Sequence, residues 1–201
     1  DNPKADWYIW RDPKPDGSLP NNWGSAFGGP AWDWDENRQQ YYLHTFLKEQ
    51  PGLNWRNPGL RQAMMDVLRF WMERGVDGFR MDVVGMIIKH PDLLDNPPNP
   101  DASPALPAND IFARQLNIHN QDQDEVHEVL KEMRQVMDEY SERCGIGEVW
   151  YELSRWLKYY GENGDELHMP FNFGFMGLPW TVQAIRGLVD LMEANLPTFA
   201  W

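Results

Sequence analysis

Val76-Asp77-Gly78-Phe79-Arg80-Met81-Asp82-Val83-Val84 is the stretch on which the fold turns. It is short, largely apolar and bounded by turn residues, as a buried strand of a parallel sheet is. Working upstream, Leu60, Met64, Val67, Leu68, Trp71 and Met72 recur at three- and four-residue steps and predict an amphipathic helix over 57–74. Asn57-Pro58 supplies its N-cap and first helical proline, and Gly75 its stop. Downstream, residues 91–121 form a Pro- and Asn-rich connection, and a loop of that length in a compact domain is functional or mobile. A helix follows over 124–142, with Val126, Val129, Leu130, Met133, Val136, Met137 and Tyr140 on one face. Then come a short strand Gly145–Trp150, a helix over 153–160, a candidate strand Glu166–Phe173 and a last helix over 180–195.

Helix and strand alternate throughout this part, so the expected fold class is α/β with parallel strands. Three βα units are clear. A closed (β/α)8 TIM barrel needs eight units and about 250 residues. The chain is therefore expected to be a segment of such a barrel, or an open α/β sheet.

The first 50 residues read differently. Trp7-Tyr8-Ile9-Trp10, Asp12-Pro13-Lys14-Pro15-Asp16-Gly17, Asn21-Asn22-Trp23 and Phe27-Gly28-Gly29-Pro30 are turn and loop chemistry with short strands between. Gln40–Phe46 reads as one of those strands. Residues 1–50 are thus expected to form a small loop-rich domain, and 51–201 the helix and strand domain.

Composition narrows the function classes. The chain has 201 residues, 42% hydrophobic and 24% charged, which is enough apolar material for a core. Its formal net charge of −13, from 31 acids and 18 bases, makes nucleic acid and anionic membrane surfaces poor partners. No run of 18 apolar residues could span a bilayer. One cysteine, Cys144, leaves neither an internal disulfide nor a multi-cysteine metal site. The 11 Trp suit both sugar rings and plain packing. The chain starts without Met and stops just after a helical stretch, so it is expected to be an excerpt of a longer protein.

Two predicted strands end in a carboxylate. Arg80 and Asp82 are two apart, hence on one side of a strand, and a guanidinium there suits an oriented, ionised nucleophile. The alternative is an ion pair that merely locks the strand. Glu148, beside Val149 and Trp150, has an apolar setting that suits a general acid, or it is an ordinary loop residue. Neighbouring parallel strands deliver side chains to one rim. One ionised and one neutral carboxyl there is the pair that retaining glycosidases use.

Gly78-Phe79-Arg80-Met81-Asp82, followed about 65 residues later by Gly147-Glu148-Val149, resembles the α-amylase superfamily, glycoside hydrolase family 13. The match is sharpest to its α-glucosidase and oligo-1,6-glucosidase branch. Gln50-Pro51-Gly52-Leu53-Asn54 is similar to that branch's Gln-Pro-Asp-Leu-Asn signature, with Gly52 in place of the Asp. Asn21-Asn22-Trp23 through Phe27-Gly28-Gly29 and Ala31-Trp32 resembles its inserted small domain. Tyr42–Gln50 and Leu167–Phe173 extend the likeness over nearly the whole chain.

The resemblance implies a barrel segment from the third to the sixth helix, with residues 1–50 as most of the inserted domain B. It implies Asp82 as nucleophile, Glu148 as general acid/base, and Arg80 as the arginine supporting the nucleophile and the sugar. Phe27, Phe46 and Gln50 match positions lining the glucose pocket, although the two Phe could equally be small-domain core. Val83, the residue after the nucleophile, leans towards α-1,6 bonds; as a plain strand residue it would carry no such meaning. The implied substrate is a small α-glucoside such as maltose, isomaltose or sucrose, and the implied activity an exo-acting α-glucosidase. No cofactor is expected, any calcium site lies outside this segment, and a cytoplasmic location is expected. The family's third acid follows its seventh strand, beyond residue 201, so the 201-residue piece alone is expected to be inactive and aggregation-prone. Two rivals remain: a glucosyl-transferring isomerase such as trehalose synthase, and a non-catalytic subunit like amino-acid transporter heavy chains.

Other residues have bland expectations. His168 is expected to be a packed histidine, His119 and His127 solvated, and Glu125, Glu128, Lys131 and Glu132 an exposed helix face.

Overall fold

A computed structural model describes residues 2–200. They fall into two compact units: Asp1–Met64 with Met86–Asp124, and Met65–Gly85 with Glu125–Trp201. The first unit is thus larger than residues 1–50 and takes in the long connection as well.

In the first unit, β1 (Trp10–Arg11), β2 (Trp32–Asp35) and β3 (Gln40–Leu43) form an antiparallel sheet in the order β1-β3-β2. The strand expected over Gln40–Phe46 stops at Leu43, although Leu43 still bonds Ile9 and Gly52 and His44 still bonds Ala31. Trp23, Ala31, Trp32, Leu43 and Leu93 make the core, with Ile9, Leu19 and Tyr41 packed on it. The connection 91–121 carries almost no regular structure, yet polar bonds tie it down. Buried Asn21 accepts the Trp32 indole N–H at 2.7 Å and donates to the Leu93 carbonyl at 2.9 Å. Asn22 and Asn96 exchange side-chain and backbone bonds at 2.8 Å. A buried backbone without a ladder needs such partners. Lys89 is buried too, its ammonium donating to Thr45 Oγ1 and to the carbonyls of Met86 and Asn120 at 2.7–2.9 Å. Burial pulls its pKa down to about 7.

Helix α1 (Pro58–Met72) begins in the first unit and ends in the second. Asn57 Oδ1 accepts from the N–H groups of Gly59 and Leu60, a side-chain cap on the first turn. Gly75, at φ +91°, ends the helix with bonds that return to Trp71 and Met72.

In the second unit, β4 (Gly78–Met81), β5 (Cys144–Gly147) and β6 (Met169–Pro170) form a parallel sheet in that order. Helix α2 (Val126–Asp138) buries Val126, Val129, Leu130, Met133, Val136 and Met137, each worth roughly 1.5–3 kcal/mol of burial. Met137 lies against Gly145, where an added Cβ would meet its sulfur at 3.0 Å. Helix α3 (Leu153–Trp156) continues as one 3-10 turn to Tyr160. The strand expected over Glu166–Phe173 is reduced to two residues. Pro170 brings no N–H to the ladder, and Asn172 accepts from Gly174 N–H to open a 3-10 turn instead. Helix α4 (Val182–Asn195) is capped by Thr181 and has no buried residue.

The histidines differ in part from expectation. His168 is packed: Nδ1 accepts from Gly145 N–H, and burial, followed by the Arg134 charge, lowers its pKa. His127 is not solvated but bonds the buried Glu166 carboxylate at 2.7 Å. His119 is half-buried, its ring edge-on to His90 at 5.1 Å, and its pKa is lowered by that burial and by His90.

Candidate active site

The parallel register sets the site. Met81 pairs with Gly147, so the next residues, Asp82 and Glu148, leave their strands at the same level. Glu148 N–H still donates to the Met81 carbonyl, and Phe171, just past β6, donates to the Gly147 carbonyl. Three consecutive parallel strands therefore present Asp82, Glu148 and Phe171 along one C-terminal edge.

Arg80 joins the two acids. Its guanidinium donates through Nη1 to Asp82 Oδ1 and through Nη2 to Glu148 Oε2. The planar fork of arginine lets one side chain hold two carboxylates in a fixed relation. The acids differ in solvent access: the Asp82 side chain is 68% exposed and that of Glu148 only 12%. Arg80 also lies over the Phe171 ring, 5.9 Å from its centre.

Val83 is not a strand residue. The backbone leaves β4 after Met81 and Val83 takes φ +35°, which a β-branched side chain rarely adopts. Val84 N–H then donates to the Glu148 carbonyl, and Gly85 lies under the Tyr151 ring, where a Cβ would clash.

Trp150 was read as an apolar neighbour of Glu148. In the structure it is a donor: its indole N–H bonds Glu148 Oε1 at 2.5 Å, while Val149 is buried. Phe173 lies flat on the indole, with ring centres 3.5 Å apart. Neither the hydrogen bond nor the stacked ring is part of the sequence reading. The i, i+2 spacing of Glu148 and Trp150 at a strand end was the available signal.

The remaining candidates belong to the first unit. Phe27 and Phe46 meet with ring centres 5.4 Å apart, and Phe27 is 66% exposed, so it does not fill the core. Ser25 links their backbones, accepting from Phe27 N–H and donating to the Phe46 carbonyl. Gln50 is exposed and folds back to accept from Leu47 N–H. Gly52 sits against the Leu43 carbonyl, so the loop there runs closer to β3 than a side chain would comfortably allow. Among the described residues, no group of three or more His, Cys, Asp or Glu could hold a metal ion. No helix among them is long and apolar enough to cross a membrane.

The arrangement has known counterparts. A sequence family described as the catalytic domain of alpha amylase matches residues 1–199. A Rhizobium meliloti protein named probable alpha-glucosidase is 46% identical over 181 residues, covering 87% of this chain and 33% of the relative. An oligo-1,6-glucosidase of Heyndrickxia coagulans is 43% identical over 180 residues, covering 88% and 30%. Among solved structures, the alpha-glucosyl transfer enzyme XgtA superposes with a TM-score of 0.87 at 39% identity, covering 98% of this chain and 37% of that one. The chain spans about a third of the length of the curated relatives it matches. Its fold is α/β, a segment of a (β/α)8 barrel with a small inserted loop-rich domain. With the family matched from residue 1 to 199, the chain belongs to the alpha-amylase catalytic-domain family.

Proposed function

We propose that the protein carrying these residues is a retaining, exo-acting α-glucosidase that cleaves terminal α-glucosidic bonds of short oligosaccharides. The observation that carries this reading is the double contact of Arg80 with Asp82 and Glu148 at the ends of adjacent parallel strands. Asp82, open to solvent, attacks the anomeric carbon while Glu148 gives a proton to the departing oxygen. Water that passes its proton to Glu148 then attacks the glycosyl-enzyme, frees Asp82 and leaves glucose with its configuration retained. Arg80 holds the nucleophile and, with the sugar in place, its oxygens. Phe27, Phe46 and Gln50 belong to the same proposal as glucose-contacting residues, and Val83 as a residue inclining the enzyme to α-1,6 bonds. The substrate is an uncharged small α-glucoside, which the chain's net charge of −13 neither attracts nor repels. The proposal adds no cofactor and places the protein in the cytoplasm, where its free Cys144 suits a reducing environment.

A second reading is glucosyl transfer in place of hydrolysis, favoured by the likeness to an alpha-glucosyl transfer enzyme. The full-length protein, incubated with isomaltose, maltose and sucrose beside an Asp82→Asn control, separates the two. Glucose release from isomaltose, lost in the control, is the expected result. Release mainly from maltose keeps the mechanism and removes the bond preference assigned to Val83. Rearranged sugars with little glucose establish transfer. No turnover of any of the three overturns the catalytic reading.

A further inference from the structure

Trp150 is half-exposed, and its indole N–H is engaged by a carboxylate. The indole N–H donates to Glu148 Oε1 at 2.5 Å, while Arg80 donates to the other oxygen, Oε2. Its ring is fixed from one side by Phe173, with planes 12° apart, and Phe173 is fixed edge-on by Phe171, which follows β6. A chain of aromatic contacts thus runs from the third strand to the carboxylate that ends the second.

We propose that Trp150 is a positioning residue for Glu148, and that it assigns the transferable proton to Oε2. The inference rests on the acid/base role given to Glu148 above. A glutamate's terminal torsion is broad and does not choose which oxygen faces a substrate. An indole N–H can only donate, so it favours an oxygen that keeps its lone pairs free. With Trp150 stacked in place, Oε1 remains the acceptor in both protonation states. The proton given to the leaving oxygen therefore travels on Oε2, the atom that Arg80 occupies in the substrate-free site. Arg80 must release Oε2 as a sugar enters, and Trp150 then keeps the carboxyl aimed.

The test uses the full-length enzyme and two substrates that differ in their need for a proton. The leaving group of a disaccharide is a sugar hydroxyl and needs one; that of α-glucosyl fluoride is fluoride and needs little help. The quantity read is kcat/KM, which reports formation of the glycosyl-enzyme. Trp150→Phe retains a stacking ring and loses the donor. It is expected to lower kcat/KM on the disaccharide roughly 10- to 100-fold, the worth of one hydrogen bond to a charged group. On the fluoride the loss should stay below about threefold. Placing benzothienylalanine at position 150 removes the N–H while keeping the shape, and must give the same selective loss even if Trp150→Phe folds poorly. Equal losses on both substrates, or an unimpaired benzothienylalanine enzyme, would overturn the proposal. Glu148→Gln is measured alongside. If it shows the selective loss and the position-150 variants do not, the role of Trp150 alone is wrong. If Glu148→Gln itself shows no selectivity, Glu148 is not the acid, and the role of Trp150 falls with it.

Discussion

Val83 shows how one residue can be held against its own preference. A valine at φ +35° carries strain on the order of 1–3 kcal/mol. The turn persists because Val84 bonds the Glu148 backbone and Gly85 admits the Tyr151 ring, so the chain after Asp82 has little freedom to relax. Glycine would adopt this φ without strain, although it brings about 0.5–1 kcal/mol of extra chain entropy to lose on folding. Val83→Gly in the full-length protein is therefore expected to raise the unfolding free energy by about 0–2.5 kcal/mol, the strain released less the entropy added. The urea midpoint, read at unchanged slope, measures it. A loss of more than about 1 kcal/mol would mean that the valine's packing outweighs its strain. This places the strain one residue from the candidate nucleophile, in the turn that aims it.

The elements matter through their register. β4 and β5 need only four residues each to bring Asp82 and Glu148 level, because Met81 opposite Gly147 puts the next residue of both strands at the same edge. Gly145 lets α2 pack closely on β5, since the Met137 side chain lies where a Cβ would stand. Gly145→Ala is expected to cost about 1–3 kcal/mol through overpacking. It should also lower kcat/KM, because Glu148 lies three residues further on, just past the end of the same strand. Denaturation and kinetics on the same variant check both, and an alanine tolerated with neither effect would show that Met137 repacks without moving β5. The periodicity of α1 and α2 was legible because apolar spacing reports which face is buried. The strand over 166–173 was misjudged in length because apolar residues near Pro170 look alike whether they sit in a ladder or in a 3-10 turn.

At the scale of the molecule, each unit has its own core and its own polar ties, and the second unit also presents much apolar surface. Trp180 is 92% exposed, Val182 76% and Met176 73%, and α4 buries nothing. Apolar area of this kind drives association, while a net charge of −13 opposes it until salt screens the repulsion. The 201-residue polypeptide expressed alone is expected to self-associate increasingly as salt is raised, and to turn over no α-glucoside. Sedimentation velocity across a salt series, with an assay on each sample, checks this. A monomer that stays monomeric at high salt and releases glucose would refute it.

The α/β class, the helix faces, the Asn57 cap and the two carboxylates as candidates were legible in the residues alone, since each rests on spacing or local chemistry within a few residues. The sequence also carried the family likeness, because that depends on residue order alone. Other features became plain only in the folded chain. Folding joined Arg80 to an acid 68 residues away, made Trp150 a hydrogen-bond donor where the sequence suggested an apolar wall, and took His127 out of solvent onto Glu166. It also bent Val83 out of the strand and packed the 91–121 connection through side-chain bonds to Asn21 and Asn22. The long-range contact of Arg80 with Glu148 shows the physical reason most plainly. A polar side chain takes its role from the nearest complementary partner, and in a parallel sheet that partner arrives from the next strand, a whole crossover away in the chain.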